Sequence, residues 1–211
     1  MRTIEKGHEP QSLRLHRNSG GTYSDFTQAD DIRHALLEEQ GHLCCFCMRR
    51  IVLRGMKIAH WASQSGNTDE TVSWNNLLGA CMGGEGERPE RQHCDTAQGA
   101  APVKINPADR GQRCERFIRY RPDGEIASDD PEIHKDVDET LKLNHSWLKD
   151  ARKSILDSAI SRLTKTQGGY WSRADLQAEL EKWQQREAGK LRELCQVAIY
   201  VLEKKLQKRK A

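Results

Sequence analysis

The tightest constraint on this chain is the distribution of its cysteines. Of seven, five (Cys44, Cys45, Cys47, Cys81 and Cys94) fall in one stretch of the 211-residue sequence, together with His60 and His93. No apolar run approaches the roughly 20 residues needed to span a bilayer, and the opening residues, MRTIEKGHEP, lack the apolar core of a signal peptide. A cytoplasmic location without a membrane partner is therefore expected. In that compartment thiols stay reduced, and clustered cysteines bind metal more often than they pair. Cys44-x-x-Cys47 makes a knuckle whose two thiolates can reach one tetrahedral zinc ion. Cys81 and Cys94 can supply the other two ligands, although twelve residues lie between them. The glycine-rich insertion 82–93 can loop out and leave both thiolates at the metal. Cys45 and His93 are adjacent competitors for the same site. A zinc ion held this way is closed and structural, so that fold stability depends on metal.

Around this staple the sequence reads as an α+β protein embedded mainly in helices. Only 36% of residues are apolar and 31% are charged, so the core is modest. The net charge of +3 is too small to define a nucleic-acid surface by itself. Residues 1–28 are polar and irregular and read as an arm available to a partner. Residues 29–128 form the zinc-bearing core, and 129–211 a helical C-terminal region. A helix is expected over 29–40, with Ile32, Leu36 and Leu37 at helical spacing and Gly41 as its stop. Residues 44–58 read as the knuckle plus a hairpin turning at Arg54-Gly55, and Asn75–Cys81 as the opening of a short helix. A second hairpin is expected over 114–128, turning at Pro122-Asp123-Gly124. Helices follow over 131–144 and 145–165, the latter including Leu163. After the break at Gly168-Gly169, one long helix is expected from about Arg173 to Lys208. Its stripe of Leu176, Leu180, Trp183, Leu191, Leu194, Ala198, Val201 and Leu202 suits packing or subunit association. The tail KKLQKRK is basic.

The order of features between residues 42 and 99 resembles the ββα-metal finger of HNH endonucleases: cysteine pair, strand, His60, Asn76-Leu77, cysteine, then a cysteine followed by a polar metal ligand. The resemblance implies a phosphodiesterase acting on DNA or tRNA. In it, His60 is the general base that takes a proton from the attacking water, a task suited to a neutral imidazole. Asn76, in preference to Asn75, braces the loop that carries the histidine. Asp95 holds a hard divalent cation, Mg2+ or Mn2+. The family places an acidic second ligand just before the histidine, where this chain has Ala59. Either Asp95, phosphate and water suffice, or a carboxylate such as Asp69 or Glu70 substitutes, or the finger is catalytically inactive.

The segments CCFCMRRI, MKIAHWASQS, WNNLLGACMGGEG, HCDTAQG and LKLNHSWLKDAR are similar to the HNH (PtuB-like) subunit of Septu-type antiphage defence systems, also found beside some retrons. That similarity implies an ABC-type ATPase partner that gates the nuclease. Arg49, Arg50, Arg54 and Lys57, and separately Arg113, Arg116, Arg119 and Arg121, are candidates to grip phosphates, or else form solvated charged faces. The alternative function is a catalytically inactive zinc-knuckle module that docks a partner or nucleic acid. A zinc deaminase needs H-x-E and P-C-x-x-C, and neither string is present. A thiol redox role would need a thioredoxin-like βαβ context, which the pattern lacks.

Overall fold

The strand that leaves the cysteine knuckle finds its partner far along the chain. In the computed structural model, which describes residues 1–63, 70–166 and 171–208, β1 (Met56–His60) pairs antiparallel with β2 (Leu77–Cys81). The register runs from Met56 opposite Cys81 to His60 opposite Leu77. The hairpin expected within 44–58 is thereby corrected. Arg54 and Gly55 lie in a 3-10 turn that leads into β1, and Ile51 and Val52 belong to no strand. The helix expected to open at Asn75 is also replaced, by a 3-10 turn, Trp74–Asn76, followed by β2. LLGAC is apolar throughout, and a continuous apolar run of this length does not distinguish a buried strand from a buried helix turn.

Gly79 lets this strand approach its neighbours closely. A Cβ there would stand 2.9 Å from Met56 Cε and 3.1 Å from Gln40 Nε2. Gln40 donates to the Leu43 and Gly79 carbonyls and accepts from the Gly79 N–H, which ties the end of α2 (Ala29–Glu39) to both strand and knuckle. α2 keeps its expected pattern, with Ile32, Leu36 and Leu37 buried and Asp30 and Asp31 near the positive end of its dipole.

Residues 1–28 are not a free arm. Met1, Ile4 and Leu13 are buried in the common core, the last on α1 (Gln11–Asn18). The Ile4 N–H donates to Pro107 O at 2.7 Å. Lys6 Nζ meets Glu39 Oε1 at 2.5 Å, both side chains being only 6% exposed, and stands 3.6 Å from the centroid of the Trp74 ring. Sparse apolar residues, each finding a place on a core built by other segments, leave no periodicity for a sequence reading to detect.

The second hairpin forms as expected, from β3 (Ile118–Tyr120) and β4 (Ile126–Ser128). It is locked from behind by the LNHSWL segment. Asn144 donates to Ile126 O and accepts from the Ile126 N–H. Arg152, fully buried, donates to Gly124 O and Leu143 O at 2.5 and 2.8 Å. Gly124, at φ +87°, has no room for a Cβ, which would lie 2.0 Å from Lys149 O. The helical region then runs through α3 (Cys94–Gln98), α4 (Pro131–Lys135), a π-turn at Asp136–Thr140, and α5 (Ser146–Thr166). The Leu163 side chain, the Gly168-Gly169 break, Asp69 and the last residues of the basic tail lie outside what is described.

The single helix expected over 173–208 is corrected to two: α6 (Arg173–Gln184) and α7 (Cys195–Gln207). Gln185 turns extended, Ala188, Gly189 and Leu194 take positive φ, and the intervening turn is held on the knuckle side. There the Leu191 N–H donates to Gly41 O and the Leu194 N–H to Met48 O, while Arg186 donates to Glu38 O and Glu39 O. Folding back buries Leu176, Leu180 and Trp183 of α6 and Val197, Ala198 and Leu202 of α7 within the chain. The stripe is thereby accommodated internally, while only Gly189 marks the break in sequence. Among the described residues no helix is long and apolar enough to cross a membrane.

Candidate metal centre and adjoining cleft

Four cysteines from three places in the chain converge. Cys44 and Cys47 sit on a knuckle closed by the Cys44 N–H to Arg49 O (2.9 Å) and the Met48 N–H to Cys44 O (3.0 Å). Cys81 ends β2, and Cys94 opens α3. Their Sγ atoms all lie within 4.8 Å of one another, with Cys44–Cys94 at 3.9 Å and Cys47–Cys81 at 3.8 Å. A tetrahedron with metal–sulfur bonds of about 2.3 Å has edges of about 3.8 Å, so these spacings match a zinc-thiolate site.

The long spacing between the second pair is solved by backbone geometry. Gly83, Gly84 and Gly86 all take positive φ. The His93 N–H donates to Gly83 O at 2.9 Å, and a Cβ on Gly83 would stand 2.2 Å from His93 O. The insertion therefore pinches shut at its base and brings Cys94 back beside Cys81. Of the two competitors, neither joins the four. Cys45 uses its backbone N–H on Gly79 O, and burial pushes its thiol well up. His93 Nε2 lies 3.7 Å from Cys81 Sγ, and its ring packs edge-on against Trp147, centroids 4.9 Å apart. It flanks the cluster.

The thiols compete for ionisation. Burial opposes it at Cys44, yet S–H groups from Cys45, Cys47, Cys81 and Cys94 hold that thiol well below its usual range. Cys47, beside Cys44 and Cys81, is pushed well up, and Cys94 is pushed well up by burial and then by Cys44. Four adjacent thiolates need a cation among them, and the donor set and dimensions suit zinc.

A cleft of about 470 Å3 opens beside this cluster, lined by Lys57, Ile58, His60, Ser63, Asp95 and Thr96 among others. His60 closes β1, and Asp95 is the second residue of α3. The His60 Nε2 lies 3.0 Å from Thr71 O. A carbonyl only accepts, so this contact assigns the ring proton to Nε2 and the lone pair to Nδ1. Burial lowers the His60 pKa, opposed by the Thr71 contact and the Asp95 charge. Burial raises that of Asp95, opposed by Lys57. The edge of the Tyr23 ring supports the imidazole, centroids 4.5 Å apart.

Asn76 is buried and braces both edges of the segment that follows His60. Its Oδ1 accepts from the Ala62 N–H at 2.7 Å, and its Nδ2 donates to Ala62 O and Glu70 O at 3.1 and 3.0 Å. Asn75 is exposed. Ala59 is 2% exposed and paired with Leu78, and no carboxylate stands at that position.

Lys57, a candidate phosphate contact by sequence, has neighbours that no sequence pattern marks. Its Nζ lies 3.4 Å from both Asp95 Oδ2 and Glu85 Oε1, and 3.3 Å from Thr96 Oγ1. Glu85, on the pinched loop, thus shares the Lys57 ammonium with Asp95, and no spacing signal in the charged loop singles it out. The Glu70 carbonyl accepts from Asn76 Nδ2 and from the Ser73 N–H. Arg49 and Arg50, candidates either to grip phosphates or to form a solvated face, make contacts within the chain: Arg49 pairs with Glu193, and Arg50 donates to the carbonyls of Gly41, His42 and Leu191. No protein-family model and no curated protein matches the chain.

Proposed function

We propose that the chain is a metal-dependent HNH-type endonuclease that hydrolyses phosphodiester bonds in DNA or tRNA. We further propose that it serves as the effector of an antiphage defence system gated by an ABC-type ATPase. The observation that carries the reading is the convergence of His60 and Asp95 on one cleft, with Asn76 bracing the segment between His60 and β2. Two antiparallel strands followed by a helix, β1, β2 and α3, stapled by four thiols, support it.

In this reading Cys44, Cys47, Cys81 and Cys94 hold a structural zinc ion that fixes β2 and α3. Thr71 holds the His60 tautomer, so Nδ1 takes the proton of the attacking water as oxygen bonds to phosphorus and the opposite P–O bond breaks. Asp95 would hold Mg2+ or Mn2+, which supplies charge neutralisation at the phosphate and leaving oxygen. Lys57, now paired with Asp95 and Glu85, presents its ammonium to the same cleft and contacts a non-bridging phosphate oxygen. Burial lowers the His60 pKa, so near neutrality the ring is neutral and carries a lone pair that can accept a proton.

Ala59 favours the rival, an inactive zinc module, because it withholds the usual second carboxylate. Cleavage assays on DNA and tRNA, with the ATPase and with Mg2+ or Mn2+, separate the two. The enzyme reading expects divalent-dependent cleavage that Asp95→Ala abolishes while zinc content stays unchanged. Absence of cleavage under every combination, with zinc and fold intact, favours the docking module.

A further inference from the structure

A second feature lies apart from the cleft and shares none of its lining residues. Two adjoining cavities, about 750 and 610 Å3, are walled by the N-terminal segment, the turn before β3, and α7, and have Arg2, Arg113 and Glu115 in common. Together their walls carry seven cationic side chains against four carboxylates, an excess as large as the net charge of the whole chain.

The excess survives ion pairing. Glu39 is neutralised by Lys6 and Arg119 by Asp129, which leaves six cations against three carboxylates on the two walls. Arg2, Arg110, Arg113, Arg116, Arg186 and Lys204 have no carboxylate within 4.0 Å among the described residues, which leaves their charge open to an anionic ligand. Arg110 and Arg186 are anchored through main-chain carbonyls, which orient the guanidinium without cancelling its charge. Gln184, Gln196 and Gln207 add neutral donors to the same wall.

We propose that this groove binds the phosphodiester backbone of a single-stranded nucleic acid, at a site separate from the His60 cleft. Five guanidinium groups and one ammonium suit phosphate oxygens, because arginine's planar fork donates two parallel hydrogen bonds to such groups. Two cavities joined through Arg2 and Arg113 suit a chain that runs through both. A compact phosphate would occupy one. The proposal stands independently of catalysis at His60.

The test uses the full chain carrying His60→Ala, without added divalent ions, so that nothing is cleaved and the zinc is undisturbed. Binding of a short fluorescein-labelled oligodeoxynucleotide is followed by anisotropy across a salt series. Adding Arg113→Ala and Arg116→Ala, both at exposed positions, should weaken binding by about tenfold. The plot of log K against log salt should become shallower by about 1.4, since each single-strand phosphate contact contributes roughly 0.7. Arg113→Lys with Arg116→Lys should preserve the slope and give intermediate affinity. Lys153→Ala, which removes a cation paired with Asp157 on α5, should change nothing. Unchanged affinity and slope in the double alanine variant overturns the proposal, as does an equal loss in Lys153→Ala. Displacement of the oligonucleotide by stoichiometric ATP would replace the strand with a free nucleotide.

Discussion

Asn76→Asp isolates the bracing of the histidine loop with almost no change in shape. The asparagine accepts one hydrogen bond, from Ala62 N, and donates two, to Ala62 O and Glu70 O. A carboxylate keeps the first and loses both others. It also sets its negative charge against two carbonyl oxygens at a buried position. Each lost bond is worth about 1 kcal/mol net, and each carbonyl left facing a carboxylate adds about 1 kcal/mol, for a total of about 2–4 kcal/mol at neutral pH. For a chain of this size 1 kcal/mol corresponds to roughly 2–4 °C, so the melting temperature should fall by roughly 4–16 °C. The sign with pH follows from the same geometry. Protonation restores one donor, so the folded-state pKa of the new carboxyl is raised above its unfolded value. The folded state therefore binds the proton more tightly, and stability is lost as pH rises through the unfolded value of about 3.9 toward the raised folded one. Asn76→Ala should lose a similar amount without that pH dependence. Thermal unfolding of the three proteins between acid and neutral pH makes the comparison. If Asn76→Asp melts with the wild type at neutral pH and cleaves equally well, Asn76 does not brace the loop.

Cys47→Ser should yield protein that is insoluble or unfolded and depleted in zinc, since a structural thiolate site contributes apparent binding energy of about 10–16 kcal/mol to folding. Full zinc occupancy after replacement of Cys44, Cys47, Cys81 and Cys94 together would refute the ligand assignment. Gly41→Ala forces a side chain into φ +60° with its Cβ 2.6 Å from Leu191 Cγ, and denaturant unfolding should register a loss of about 2–4 kcal/mol. The lowered His60 pKa predicts a cleavage rate that rises with pH only below about 6.5 and is flat through neutrality. The same shift costs stability as pH falls through the unfolded value, because the unfolded chain then binds the proton more readily. A basic limb centred above neutrality in a pH–rate profile would point to a different base.

The four-cysteine cluster was legible because Cys44 and Cys47 stand at knuckle spacing, and the glycines of 82–93 announce a loop able to close the longer gap between Cys81 and Cys94. His60, Asn76 and Asp95 were legible through their order along the chain. The partner of β1 was not. LLGAC has no alternation to mark it as a strand, and the pairing spans the whole segment between His60 and Leu77. The docking of residues 1–28 escaped notice because Met1, Ile4 and Leu13 each enter a pocket prepared by distant elements. The break between α6 and α7 escaped because its stabilising bonds come from Gly41 and Met48, more than 140 residues earlier. Glu85 could be recognised only once the loop had closed and Lys57 lay between it and Asp95.

The central claim rests on the imidazole of His60 acting on water at the scissile phosphate. The most direct measurement is single-turnover cleavage of DNA and of tRNA by the wild type and by His60→Ala, with ATPase and divalent ion supplied and zinc content matched. A base in this position contributes about 10²–10⁴-fold. His60→Ala should therefore lose at least about 100-fold, with His93→Ala retaining cleavage in proportion to its zinc content. Wild-type cleavage by a zinc-replete His60→Ala protein would contradict it.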